Sequence, residues 1–275
     1  MYSISTRLYY DELKNKLDRM SAGVLAGDWT YGTYEIKYAP TDAEVNIAVE
    51  VIATTIADIV QREKLHRFSV KYLRARKDMS ADDKKHVHDI FLKTNYLQSE
   101  DGASCISYYL LYVPILDYLK HEKFVDIDGW INFRTAKYDI ILEDMLEQTI
   151  YDYNMQADYI RVLDFLKDVR NAQNNSAEQL NLYCSPTGKV GIYNRNFENV
   201  TAEYVKRYCE DIDFSDITTE DFIIHILIKV CPESIVIHNT KDYINPNFII
   251  TLQEIFDEQL HICGGCELCK LDELP

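Results

Sequence analysis

The longest stretch without Gly or Pro, Ala136 to Arg170, places Tyr138, Ile141, Leu142, Met145, Leu146, Thr149, Ile150 and Tyr153 at steps of three and four. That period gathers them on one face and predicts a long amphipathic helix. A second stripe, Tyr159, Val162, Leu163, Phe165 and Leu166, is out of phase with the first. The slip around Asn154 to Asp158 predicts a kink, or a turn between two packed helices.

Beyond this segment the period changes from helical to alternating. Leu180, Leu182 and Cys184 alternate with polar residues, Pro186-Thr187-Gly188-Lys189 reads as a turn, and Val190 to Tyr193 returns, which together predict a β-hairpin. A helix follows from about Thr219 to Val230, with Thr218 or Thr219 as its cap. Pro232 then precedes a short apolar strand, Ile235-Val236-Ile237, and a last helix runs from about Asn247 to Leu260. In the first part the pattern predicts a strand near Tyr2 to Leu8, a helix from Tyr10 to Met20 and a Tyr-rich strand from Tyr31 to Tyr38. A long helix from Ala43 toward Glu63 comes next, capped by Thr41 or Asp42. The class is α/β, rich in helix, with short strands throughout and a hairpin in the second half.

With 275 residues and 47% hydrophobic content, the chain can bury one large core or two modest ones without disulfide support. Its formal charge of −16 repels phosphate from most directions and argues against coating nucleic acid or an anionic membrane. The opening Met1-Tyr2-Ser3-Ile4 lacks the basic and apolar regions of a secretion signal. The most apolar run, Ile106 to Leu119, is too short to cross a bilayer and is interrupted by Pro114 and Asp117. The expected location is the cytoplasm, where thiols stay reduced and an odd count of seven cysteines needs no pairing.

Those cysteines carry the most specific chemistry. Cys263-Gly264-Gly265-Cys266-Glu267-Leu268-Cys269 places three thiols at C-x-x-C-x-x-C spacing, and the two glycines let the backbone turn so that sulfurs converge on one ion. Tetrahedral zinc needs a fourth ligand, and a [4Fe–4S] cluster takes four cysteines, often three of them from such a run. If the final helix packs back along strand Ile235 to Ile237, the cysteine turn lands near Cys231. His261, two residues before Cys263, offers a compact alternative, and both are preferred to His238. Zinc, an iron–sulfur cluster, and a tail of reduced thiols without metal all remain open. A thiol redox role is weaker, because the pair follows a helix instead of opening one.

Two other groups of residues bear on function. Arg62, Lys64, Arg67, Lys71, Arg74, Arg76, Lys77, Lys84 and Lys85 form a basic run, with Arg67, Lys71 and Arg74 on one helical face. It suits either phosphate or, preferably, acidic surface of this protein or a partner. Of the histidines, His86, His88, His121 and His225 build no nucleophilic triad and read as structural, while His238-Asn239 closes a buried strand, where open α/β sheets place their sites. No glycine-rich phosphate loop is present.

The second half resembles the YtxC-like family of sporulation proteins from endospore-forming bacteria. The resemblance is carried by Ile127-Asp128-Gly129-Trp130-Ile131-Asn132-Phe133-Arg134 leading to Tyr138, and by Tyr159 with Val162-Leu163 and Phe165-Leu166. It continues through Glu220-Asp221, Ile237-His238-Asn239, Ile255-Phe256 and the cysteine run. It covers the chain from about Phe124 and divides it into an N-terminal α/β region, residues 1–120, and a second region, 121–275. It implies a sporulation-associated protein and brings no catalytic residues. The expected function is therefore a cytosolic, non-enzymatic interaction protein with a protein partner, stabilised by zinc at Cys263, Cys266 and Cys269 with Cys231 or His261. An iron–sulfur redox protein is the alternative, and a nucleic-acid factor using the basic run is a weaker one.

Overall fold

A computed structural model of the chain describes residues 1–95, 106–209, 218–241, 243–266 and Cys269. The chain divides into two compact units, Met1–Asn154 and Met155–Pro275. The boundary expected from the sequence lies at residue 120. Each unit has its own apolar core and its own four-stranded mixed sheet.

In the first unit the strands are β1 (Tyr2–Ser5), β2 (Asp28–Tyr31), β3 (Glu35–Ala39) and β4 (Phe124–Asp126), in the order β2-β3-β1-β4. The Tyr-rich stretch expected as one strand is a hairpin, because the chain reverses at Gly32, whose N–H donates to Glu35 O at 2.8 Å. Helix α1 (Tyr10–Ser21) buries Leu13 and Leu17. Thr41 and Glu44 form a capping box over the turn Asp42–Glu44, which opens α2 (Val45–Ala75), a helix longer than its predicted span. Next come α3 (Ala81–Asn95), α4 (Val113–His121) and α5 (Ile127–Phe133), the last capped by Asp126, which accepts Gly129 N–H at 2.7 Å. Arg134 then lies over the rings of Tyr118 and Trp130.

Four of the nine residues of the basic run are met by acidic side chains of the same unit. Arg62 pairs with Glu12 and Arg67 with Glu63, Lys64 reaches Asp139 at 2.5 Å, and Arg76 reaches Glu147 at 2.7 Å and Asp78 at 2.8 Å. For these four the acidic surface lies within the chain itself.

The long periodic segment is one uninterrupted helix, α6 (Ala136–Asn171), so the expected break is absent. The phase slip has another cause. Tyr138, Leu142, Leu146 and Ile150 belong to the core of the first unit, whereas Leu163, Leu166 and Val169 pack in the core of the second. One helix thus carries two stripes, each facing its own core.

In the second unit, β5 (Ser176–Cys184) and β6 (Val190–Tyr193) form the predicted hairpin, with Leu182 opposite Ile192 and Cys184 opposite Val190. Gly188 at φ 85° makes its turn. After α7 (Thr201–Tyr208), helix α8 (Thr219–Val230) starts from a capping box between Thr218 and Asp221. Strand β7 (Pro232–His238) runs parallel to β5. Helix α9 (Pro246–Phe256) buries Phe248, Leu252, Ile255 and Phe256. It stops short of the predicted Leu260 because Asp257 takes φ 41°, and a turn, Asp257–Gln259, leads into a strand the sequence did not suggest, β8 (Leu260–Ile262). The sheet order is β6-β5-β7-β8, with β8 parallel to β7.

Leu252 is fully buried in α9, the crossover between β7 and β8. Leu252→Ala should cost the second unit about 2–5 kcal/mol. Because Trp29 and Trp130, the chain's two tryptophans, both lie in the first unit, urea unfolding followed by far-UV circular dichroism should shift to lower concentration with the tryptophan transition moving less.

Candidate metal centre

Strand β7 carries buried Ile235 and Ile237 into the core and ends at His238, itself buried. Strand β8 runs alongside in the same direction, with Leu260 opposite Ile235, His261 opposite Val236 and Ile262 opposite Ile237. The Cys263 N–H extends the ladder by donating to Ile237 O at 2.8 Å. The cysteine run therefore leaves the sheet at the same end as His238.

The outcome is a four-residue group of His238, Cys263, Cys266 and Cys269, with all ligand atoms within 4.8 Å of one another. Cys269 Sγ lies 3.8 Å from both Cys266 Sγ and Cys263 Sγ. His238 Nδ1 lies 3.4 Å from Cys266 Sγ and 3.6 Å from Cys269 Sγ. A tetrahedral ion with sulfur at ~2.3 Å and nitrogen at ~2.05 Å has sulfur–sulfur edges of about 3.8 Å and sulfur–nitrogen edges of about 3.5 Å. These four distances match such edges, and the group could hold a metal ion. A four-iron cluster, by contrast, places each ligand on a different iron and so spreads its donors beyond such edges.

The surrounding groups suit ligation. His238 Nε2 is hydrogen-bonded at 3.1 Å to Asn181 Oδ1, and the Asn181 amide is oriented by donating through Nδ2 to Asn194 O at 3.0 Å. With Nε2 carrying the proton, Nδ1 presents its lone pair to the sulfurs. Burial lowers the His238 pKa, favouring the neutral imidazole that a metal requires. The Gly265 N–H is the main cause of a lowered Cys263 pKa, whereas burial dominates at Cys269 and raises it, against N–H donors from Cys266 and Asn239. Phe197, at φ 62°, sets its ring against His238 with centroids 6.1 Å apart.

The two residues preferred as fourth ligand lie elsewhere. Cys231 closes α8 at the opposite end of β7, roughly 20 Å of strand from His238, where its Sγ is 3.1 Å from Asn175 Oδ1. His261 is exposed on β8 and is not in the group. The sequence-based preference took the chain to end in a helix returning toward Cys231, whereas strand β8 reverses that direction once more. Asn181 was also missed, since a polar residue alternating with Leu180 and Leu182 looks like an ordinary solvent-facing position. Glu267 and Leu268 lie outside the described residues.

The other histidines are held by local bonds, His88 Nδ1 to Ser69 Oγ at 2.8 Å, His86 Nδ1 to Asp82 O at 2.9 Å and His225 Nε2 to Tyr208 O at 3.1 Å. His121 lies in the last turn of α4. No helix among the described residues is long and apolar enough to cross a membrane.

Comparison with known proteins gives one family, described as YtxC-like, whose model matches residues 48–261. No curated protein and no solved structure matches. The match reaches back into α2, well before the Phe124 from which the resemblance was traced, and it ends before Cys263. It therefore covers the strands that carry the centre, and His238, but not the cysteine run.

Asn181→Ala removes the acceptor that fixes the His238 ring. Competition against a zinc chelator should show metal affinity reduced about 10–100-fold, with the far-UV spectrum preserved.

Proposed function

The chain belongs to the YtxC-like family, and we propose that it acts there as a cytosolic, sporulation-associated interaction protein whose C-terminal segment is folded around a structural zinc ion. The observation that carries this reading is the gathering of His238 Nδ1 and the three sulfurs within 4.8 Å of one another, with Cys269 Sγ 3.8 Å from both other sulfurs and the imidazole 3.4 and 3.6 Å from two of them. Four protein ligands complete the coordination sphere of zinc and leave no position for substrate, which is the pattern of a structural site and not of a catalytic one. Thiolate and imidazole donors also match the softness of zinc far better than that of calcium or magnesium.

An ion held there would join the end of β7 to the residues after β8. Beside it, Phe197 and Ile262 are about half exposed, at 47% and 48%. These are the side chains that a protein partner would meet on the face fixed by the metal. The sporulation role comes from the family resemblance, and the zinc from the donor set.

Elemental analysis of untagged, reduced protein tests the reading. We expect one zinc per chain, lost in Cys266→Ser and in His238→Ala and retained in Cys231→Ser and in His261→Ala. Retention of zinc in His238→Ala together with its loss in His261→Ala would refute the assigned ligand set. Stoichiometric iron with strong visible absorbance would instead establish the iron–sulfur alternative.

A further inference from the structure

The described cysteines fall into two populations. Cys184, Cys209 and Cys231 are buried, whereas Cys263, Cys266 and Cys269 are partly exposed. Burial pushes the Cys184 thiol up to about 12, which leaves it almost wholly protonated and unreactive near neutral pH. The other three open onto a concavity of ≈ 510 Å³ that Asn239, Thr240, Lys241 and Ile262 also line. On its glycine side, a Cβ added to Gly264 or Gly265 would meet nothing within 4 Å among the described residues. A small solute in water can therefore reach these sulfurs.

We propose that the Cys263-Cys266-Cys269 sulfurs form a peroxide-operated release device, in which a hydroperoxide converts two of them to a disulfide and the ion they hold is let go. This rests on the metal reading above and adds its regulation. Cys269 Sγ is 3.8 Å from each of the other two sulfurs. A disulfide requires ~2.05 Å, so closure needs a displacement of less than about 2 Å. Gly264 and Gly265, the latter at φ 108°, give the loop freedom to make it. His238 stays in place, since its ring is held by Asn181 and its backbone by the sheet.

The chemistry balances. One thiolate sulfur attacks the outer oxygen of the hydroperoxide, an S–O bond forms, the O–O bond breaks, and the leaving oxygen takes a proton as water or an alcohol. A second thiolate then attacks that sulfur, the S–S bond forms, and the S–O bond breaks with loss of hydroxide, which takes a proton to become water. Two thiolates are oxidised by two electrons and the peroxide is reduced by two. One imidazole and one thiolate remain, two donors short of the tetrahedron that holds the ion.

The experiment uses the full chain carrying Cys105→Ser, because Cys105 lies outside the described residues, after reduction and loading with zinc. Hydrogen peroxide is added stepwise, released zinc is read with a chromogenic chelator, and the oxidised chain is mapped by peptide mass spectrometry. We expect the bound zinc to appear with on the order of one peroxide consumed per chain, a disulfide that includes Cys269, reduced Cys184, Cys209 and Cys231, and recovery with reductant and zinc. Zinc retained through a large excess of peroxide, or released with a disulfide involving the buried cysteines, overturns the proposal. A chain that takes up no zinc at the loading step contradicts the metal reading itself, before any oxidant is added.

Discussion

The pairing of β8 with β7 is the constraint on which the candidate centre depends. A parallel pair requires a crossover, here α9 and its following turn, and it delivers the carboxyl ends of both strands to one edge of the sheet. Three residue pairs and the bond from Cys263 N–H to Ile237 O are enough to set the register. Every feature of the centre follows from that register. His238 ends one strand, Cys263 follows the other, and the glycines after it bring Cys266 and Cys269 back over the same edge. Without β8 the cysteines would lie toward Cys231, and the imidazole would have no sulfur beside it.

The sheet also separates two chemistries. Alternation along β5 sends Leu180, Leu182 and Cys184 into the apolar core and turns Asn181 to the other face, where it meets His238. A buried imidazole and a buried amide are costly unless satisfied. Here the His238 Nε2–H donates to Asn181 Oδ1, and Asn181 Nδ2 donates to Asn194 O. The unit has an extensive core of its own, formed by Ile226, Leu227, Ile235, Ile237, Leu252 and Phe256 among others. The stability that an ion adds would thus fall on the loop beyond β8 and not on the unit as a whole.

What could be read from the sequence was what local signals fix. The helix cap at Thr218 or Thr219, the turn before Lys189 and the apolar period of the first half of α6 each lie within a few residues of the structure they specify. The elements missed depend on distant partners or are too short to show a period. Leu260-His261-Ile262 offers three residues, less than two full alternations, and its identity as a strand comes from β7. The hairpin across Gly32 was read as one strand because tyrosines on both sides gave it a uniform look. The slip in α6 was visible, but its cause, two cores sharing one helix, was not. The cysteine motif was legible in full, whereas its fourth member was not, because His238 enters through strand pairing that no spacing records.

Whether one histidine and three cysteines surround a single ion is decided by X-ray absorption at the zinc edge of the purified, untagged protein. The first shell should contain three sulfurs at about 2.3 Å and one nitrogen at about 2.0–2.1 Å, with the nitrogen contribution removed by His238→Ala. A shell of sulfur alone, or one whose nitrogen contribution survives that substitution, would contradict that arrangement.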